Sequence, residues 1–249
     1  MNITTLVFDT IGSTNTEALK HARQGVAEGL CIVARQQTAG RGRHGRVWVS
    51  EKDAGLYFSI VLRPKLETRF LSLITLMTGV AVHDMLEEYG ITPDIKWVND
   101  VLVAEKKISG ILAETAETGQ GIAVVVGVGV NLTSGSVPPE IAETATSIEC
   151  VSGLRVSPEN VAGALTKYLV YFYAVLTGTA GPASIIDEWR KRSTYFSGKQ
   201  VRAALGSETI TGISDGLESN GALRIKRPDG SVAVIQAGDV ERLRAEAAM

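Results

Sequence analysis

The run DIKWVNDVLVAEKKISGILAETAETGQGIAVVVGVGV, from Asp94 to Val130, decides the fold. It holds three strand-like stretches: Asp94 to Trp97 with a continuation to Val103, Lys107 to Glu114, and Ile122 to Val130. Only Ala104-Glu105-Lys106 separates the first two. Connections this short imply antiparallel neighbours.

Upstream of this run, Thr5 to Asp9 reads as a strand, and Thr14 with Glu17 three residues later forms a capping box that opens a helix to about Gln24, stopped by Gly25. Leu30 to Ala34 and Leu56 to Leu62 read as strands, separated by a glycine- and arginine-rich loop from Ala39 to Arg46. Phe70, Ile74, Met77, Ala81 and Leu86 recur at helical spacing, so Phe70 to Tyr89 is a core-packing helix ended by Gly90 and Pro93. Downstream, Ser157-Pro158-Glu159 opens a helix to about Leu176, and Pro182 opens another to Arg192. After Ser197-Gly198 come short strands near 200–205, 208–213, 222–226 and 232–236. The expected architecture is α+β: residues 1–193 form a mixed, largely antiparallel sheet flanked by helices, and residues 194–249 form a small C-terminal SH3-like β-barrel.

With 45% hydrophobic and 21% charged residues the composition is that of a globular protein. Its 25 basic and 27 acidic side chains leave a net charge of -2, which gives no global reason to bind DNA or an anionic membrane, so any positive site must be local. Cys31 and Cys150 lack metal-ligand spacing and are expected to be buried, reduced thiols. The N-terminus lacks a basic segment followed by an apolar one, and the most apolar stretch, Phe70 to Val82, is short for a membrane span. A soluble cytoplasmic protein is expected.

Four segments carry chemistry. Gln37-Thr38-Ala39-Gly40-Arg41-Gly42-Arg43-His44-Gly45-Arg46 combines arginines with glycines, so guanidinium groups and backbone amides can converge on an anion. A solvated basic turn or a nonspecific RNA-binding stretch has the same composition. The position between two strands, with Trp48 following, favours a ligand lid. Its glycines are costly to order and its arginines have no evident internal partner, so mobility without ligand is expected. In Lys96-Trp97-Val98-Asn99-Asp100 a cation, an amide and a carboxylate leave a strand together, although Asn-Asp after a strand is commonly just a turn. In Lys107-Ile108-Ser109-Gly110, alternation puts Lys107 and Ser109 on one face, and Gly110 permits close approach of a ligand or backbone. The strand ending Val126-Gly127-Val128-Gly129-Val130-Asn131 has Leu132 where a dinucleotide fingerprint needs its third glycine, which discards that reading. Glycines that make room for a planar base, with Asn131 bonding it, fit better.

Taken in order, Gly12-Ser13-Thr14-Asn15, the Gln37 to Trp48 segment, Lys96-Trp97-x-Asn99-Asp100, Lys107-x-x-Gly110-Ile111-Leu112 and Gly127-x-Gly129-x-Asn131 closely resemble the biotin protein ligases over nearly the whole chain. The resemblance implies a class II synthetase-like catalytic domain and a reaction in which ATP activates biotin as biotinyl-5'-AMP, with Mg²⁺, before transfer to a lysine of a biotin carboxyl carrier protein. It implies that Ser13, Thr14, Asn15 and Gln37 bond the biotin ring system, and that Arg41, Gly42 and Arg43 wrap its carboxylate and the adenylate phosphate. Lys107 is then the active-site lysine, with Arg43 beside it in catalysis. Trp48 and Asn131 lie near adenine, Lys96 and Asn99 serve ATP, and Asp100 serves the metal. Val98 stands where the family commonly has proline. Two other readings are weighed. A lipoate or octanoate transferase shares the Lys-x-x-Gly segment but usually carries a different Arg-Gly motif. A DNA-binding regulator needs an N-terminal module, for which the Ser13 motif leaves no room. The expectation is a monomer or homodimer that binds no specific DNA and no membrane.

Overall fold

The valine-rich run at 121–131 pairs over 121–130 on one side and over 124–131 on the other, and this makes it the centre of the sheet. In the computed structural model, which describes residues 1–236 and 242–245, it is β7 (Gly121–Asn131) of a seven-stranded sheet. The strands before it are β1 (Thr4–Ile11), β2 (Leu30–Gln37), β3 (Gly55–Leu62), β4 (Asp94–Lys96), β5 (Asp100–Val103) and β6 (Lys106–Thr118). Their order is β1-β2-β3-β7-β6-β5-β4. Only β1 and β2 are parallel, joined through α1 (Thr14–Arg23), and every other neighbour is antiparallel. The mixed, largely antiparallel sheet expected from the sequence is therefore present.

Alternation along β7 splits the molecule. Val124, Val126, Val128 and Val130 face the large core with Ile108 and Ile111 of β6. That core is closed by α2 (Leu73–Glu87), α4 (Pro158–Leu176) and α5 (Gly181–Lys191), with a short α3 (Ile148–Ser152) at its edge. Ala123 and Val125 face the other way, where α1 covers them with Ala18, Leu19 and Ala22. Helix α1 begins at Thr14, so the sheet face beyond its N-terminus, at Gly127, Gly129 and Gly110, is left for something else.

The structure corrects several expectations. The helix N-cap is Ser13, whose side chain accepts from the Thr16 amide, not Thr14. The stretch 94–103 is not one continued strand: the chain reverses at Trp97-Val98-Asn99, through a cis peptide between Trp97 and Val98, and β4 and β5 pair with each other. Cys31 is fully buried, and burial pushes its thiol up to about 12, but Cys150 is exposed. The helical run Thr68–Glu87 is long and apolar enough to span a membrane, longer than the stretch read from the sequence, but most of its apolar part is buried inside the protein. A helix apolar on all sides is suited to such a position.

The C-terminal module contains β8 (Ser197–Leu205), β9 (Glu208–Leu217), β10 (Leu223–Lys226), β11 (Val232–Ile235) and β12 (Arg242–Ala245), in the order β11-β10-β9-β8-β12. All its ladders are antiparallel, and among the described residues no ladder joins β11 to β12 to close a barrel. Its inward residues Val201, Ala203, Leu223 and Ile225 belong to the same core cluster as α2. The β9–β10 turn is anchored to the part of the chain that forms the seven-stranded sheet and its helices: Ser72 Oγ donates to the Asn220 carbonyl at 2.6 Å and Trp97 Nε1 to the Gly221 carbonyl at 3.0 Å. Replacing Trp97 with Phe leaves a buried carbonyl without its donor. The expected outcome is a stability loss of about 1–3 kcal/mol, read as a lower urea midpoint at unchanged slope.

Candidate active site

Beyond the start of α1 the bare sheet face floors a cavity of about 620 Å³, within the range of small-molecule sites. Every residue singled out from the sequence lines it: Ser13, Thr14, Asn15, Gln37, Arg41, Gly42, Arg43, Trp48, Lys96, Asn99, Asp100, Lys107 and Asn131. The floor is built by register. Gly110 pairs with Gly129, and Leu112 with Gly127, so three of four residues in a two-by-two patch have no side chain. A Cβ at Gly129 would lie 2.6 Å from Trp48 Cζ2, and one at Gly127 would lie 2.8 Å from Asn15 Cγ. These glycines thus seat protein side chains, a Trp and an Asn, rather than lying open for a base. Asn131 is itself engaged, its Nδ2 donating to the Thr146 carbonyl at 2.9 Å.

One end of the cavity is neutral and polar. The Thr14 amide donates to Gln37 Oε1 at 2.8 Å, and Gln37 Nε2 donates to Ser50 Oγ at 2.9 Å. Ser59, wholly buried, lies 2.8 Å from Thr14 Oγ1 and 2.6 Å from Asn15 Oδ1. Asn15 Nδ2 donates to the Leu112 carbonyl at 3.1 Å and to the Glu114 carboxylate at 2.9 Å. Both of its N–H groups are therefore held by protein acceptors, and Asn15 sets the position of its neighbours more than it offers a donor. Ser50, Ser59 and Glu114 were not singled out in the sequence. Ser59 gave a signal, being the polar residue inside the apolar strand Leu56 to Leu62.

The other end is cationic. The order of Lys107 and Ser109 expected from simple alternation is overturned by a bulge: Val101 pairs with Ser109 but Leu102 with Lys107, so Ile108 is the extra residue. Ile108 and Ser109 are both buried, while the Lys107 ammonium swings to the cavity, 3.0 Å from where a Gly110 Cβ would be. Lys107 Nζ lies 2.6 Å from Asp100 Oδ1 and 5.4 Å from the Trp48 ring centroid. Its backbone is strapped on both sides, its N–H donating to the Thr144 carbonyl and its carbonyl accepting from the Thr146 N–H. Asn99 Nδ2 donates to the Ile111 carbonyl at 3.0 Å, and Asn99 Oδ1 accepts from Arg43 at 3.3 Å. Burial lowers the Arg43 pKa, with Asp100 opposing and nearby Arg46 adding to the shift. A half-buried guanidinium close to another cation is suited to receive an anion.

The arginine-rich loop is a tight hairpin. Arg41 bridges Val47, the Trp48 N–H donates to the Gly40 carbonyl at 3.0 Å, and the Gly42 N–H to the Arg46 carbonyl at 2.7 Å. His44 and Gly45 both have positive φ, 54° and 71°, as the two-residue turn of a close hairpin requires. Arg41 forks onto Glu114 at 3.0 and 2.7 Å, so the expectation that these arginines have no internal partner is overturned. Asp100 belongs to no group of three acidic or histidine ligands among the described residues; such a group occurs at His83, Asp84 and Glu87 on α2, where Arg192 already takes both oxygens of Asp84.

The profile of the Biotin/lipoate A/B protein ligase family matches residues 7–131, and that of the Biotin protein ligase C terminal domain matches residues 196–243. The chain belongs to the biotin/lipoate protein ligase family. It is 36% identical over 240 residues to the biotin–[acetyl-CoA-carboxylase] ligase of Paracoccus denitrificans, covering 92% of this chain and 96% of that one. It is 32% identical to the bifunctional ligase/repressor BirA of Bacillus subtilis, covering 95% of this chain and 73% of the relative. The biotin protein ligase of Aquifex aeolicus, solved in complex with biotin and ATP, superposes with a TM-score of 0.84 at 30% identity, over 97% of this chain and 99% of that one. The ligase's glycine floor gives a direct test. Gly129→Ala is expected to lift the Trp48 indole off the sheet, raising acrylamide quenching of fluorescence relative to the natural protein; Trp97 and Trp189 are buried and contribute little to the change.

Proposed function

We propose that this ligase condenses biotin with ATP to biotinyl-5'-AMP and transfers the biotinyl group to one lysine of a biotin carboxyl carrier protein, in the cytoplasm. The observation that carries the reading is a single cavity with a neutral hydrogen-bonding end and a cationic end, the latter carrying Lys107. A ureido ring takes hydrogen bonds from groups such as Ser13, Thr14 and Gln37, whereas a lipoyl dithiolane takes none. The match of residues 196–243 to the Biotin protein ligase C terminal domain independently favours biotin. Residues 1–193 then form the catalytic part and residues 194–249 its C-terminal partner.

Two anions must meet in the first step. An oxygen of biotin's carboxylate attacks the α-phosphorus of ATP, the bond from that phosphorus to the bridging oxygen breaks, and pyrophosphate leaves. Lys107 and Arg43 lower the repulsion between the reactants and orient the carboxylate. Lys96 and Asn99 hold the triphosphate side, and Trp48 with Asn131 the base. Asp100 is one carboxylate, which fits an Mg²⁺ bound mainly by phosphate oxygens and water, and that ion would neutralise charge on the leaving pyrophosphate. In the second step the carrier lysine, as a free amine, attacks the biotinyl carbonyl; the bond to AMP breaks and the amine proton is lost to solvent. The hairpin over the cavity excludes water from the mixed anhydride until then.

Lys107→Ala is expected to cost at least ~2.7 kcal/mol of transition-state stabilisation, about a hundredfold, in biotin-dependent ATP–pyrophosphate exchange. Near-natural exchange would remove Lys107 from the mechanism, and exchange driven by lipoate instead of biotin would overturn the substrate. Arg43→Gly is expected to release biotinyl-AMP early, so that lysines of a bystander protein mixed with enzyme, biotin and ATP become labelled faster than with the natural enzyme.

A further inference from the structure

Glu114 sits on β6 on the same face as Gly110 and Leu112, but outside the cavity lining. Its carboxylate gathers three donors from two other elements: both forks of Arg41, at 3.0 and 2.7 Å, and the Asn15 amide, at 2.9 Å. Arg41 begins the hairpin that walls the cavity, and Asn15 lies in the first turn of α1, beneath the neutral end. One carboxylate therefore ties together the hairpin, the helix start and the strand that carries Lys107.

We propose that Glu114 is a positioning residue: it latches the Gly40–Trp48 hairpin to β6 and fixes the biotin end of the cavity through Arg41 and Asn15. This rests on the proposed reaction for its consequence, retention of the acyl-adenylate, but not for the latch itself. A forked arginine–carboxylate pair fixes direction as well as distance, so it holds a two-stranded hairpin against rotation about its base. The pair is partly exposed, with Arg41 41% and Glu114 25% accessible. It can therefore be broken and remade as ligands enter, unlike the buried ladder of the sheet.

The test uses the full-length protein. In the first arm, amide hydrogen exchange of the hairpin is followed without any ligand, with the Trp48 and Gly42 amides as reporters. Glu114→Gln keeps an oxygen for Asn15 but loses the charge and one acceptor; it is expected to speed exchange of these amides about tenfold. Arg41→Met cuts the same link without touching β6, and combining the two is expected to add nothing further, as for partners in one pair. Glu88→Gln, which breaks the Lys167–Glu88 pair between α2 and α4, serves as the control and leaves the hairpin protected. In the second arm, biotinyl-AMP made from biotin and ATP is expected to leave Glu114→Gln about fivefold faster or more, since an unlatched wall acts mainly on dissociation. The proposal is overturned if hairpin exchange in Glu114→Gln stays within about twofold of the natural protein, if the two substitutions add, or if the hairpin opens and release is unchanged. If the natural protein forms no biotinyl-AMP while the first arm behaves as expected, the proposed reaction fails and the latch stands.

Discussion

The structure depends on the register between β6 and β7. Pairing Gly110 with Gly129, and Leu112 with Gly127, opens the sheet at one place. Side chains alternate with a period of two, so a slip of one residue would turn Val126, Val128 and Val130 into the cavity and the glycines into the core. The same register places Glu114 and Gly110 on the cavity side of β6, and the bulge at Ile108 then brings Lys107 to that side as well. Packing of the valines under α2 holds the register, so the large hydrophobic core fixes the position of a floor it does not touch.

Two of the site's cations are held in ion pairs. Lys107 lies against Asp100 and Arg41 against Glu114. Each pair holds its cation in place where an anionic reactant is expected. An incoming phosphate or carboxylate then competes with a resident carboxylate rather than meeting a bare cation, which tempers affinity and leaves room for products to depart.

Much of this was legible in the chain. The antiparallel neighbours of the Asp94 to Val130 run and the helices opened by Ser157-Pro158 and Pro182 followed from turn chemistry and period, and the cavity residues from chemistry-bearing segments together with the resemblance to the biotin protein ligases. Three features were not. The bulge at Ile108 leaves no mark on an apolar pattern, so Lys107 was assigned the wrong face relative to Ser109. The reversal at Trp97 to Asn99 involves neither Gly nor Pro, and so read as a continued strand. The partners Ser50, Ser59 and Glu114 come from separate strands and loops, and only the pairing order of the sheet brings them beside Asn15 and Gln37. Local sequence can mark a residue as polar in an apolar strand; it cannot name the partner across the sheet.

The hydrogen bond from Trp97 to Gly221, set in a core that runs from β7 through α2 into β8 and β10, gives the change of pattern near residue 194 a particular meaning. It marks a change of architecture but not a line along which the protein can be cut. Helix α2 is almost wholly apolar from Leu73 to Val82, and part of that surface is covered by Gly221 lying against Leu73 and Leu76. Severing the C-terminal module would strip a hydrophobic helix and release the turn that carries Asn99 and Asp100, giving an aggregation-prone remnant rather than a smaller enzyme.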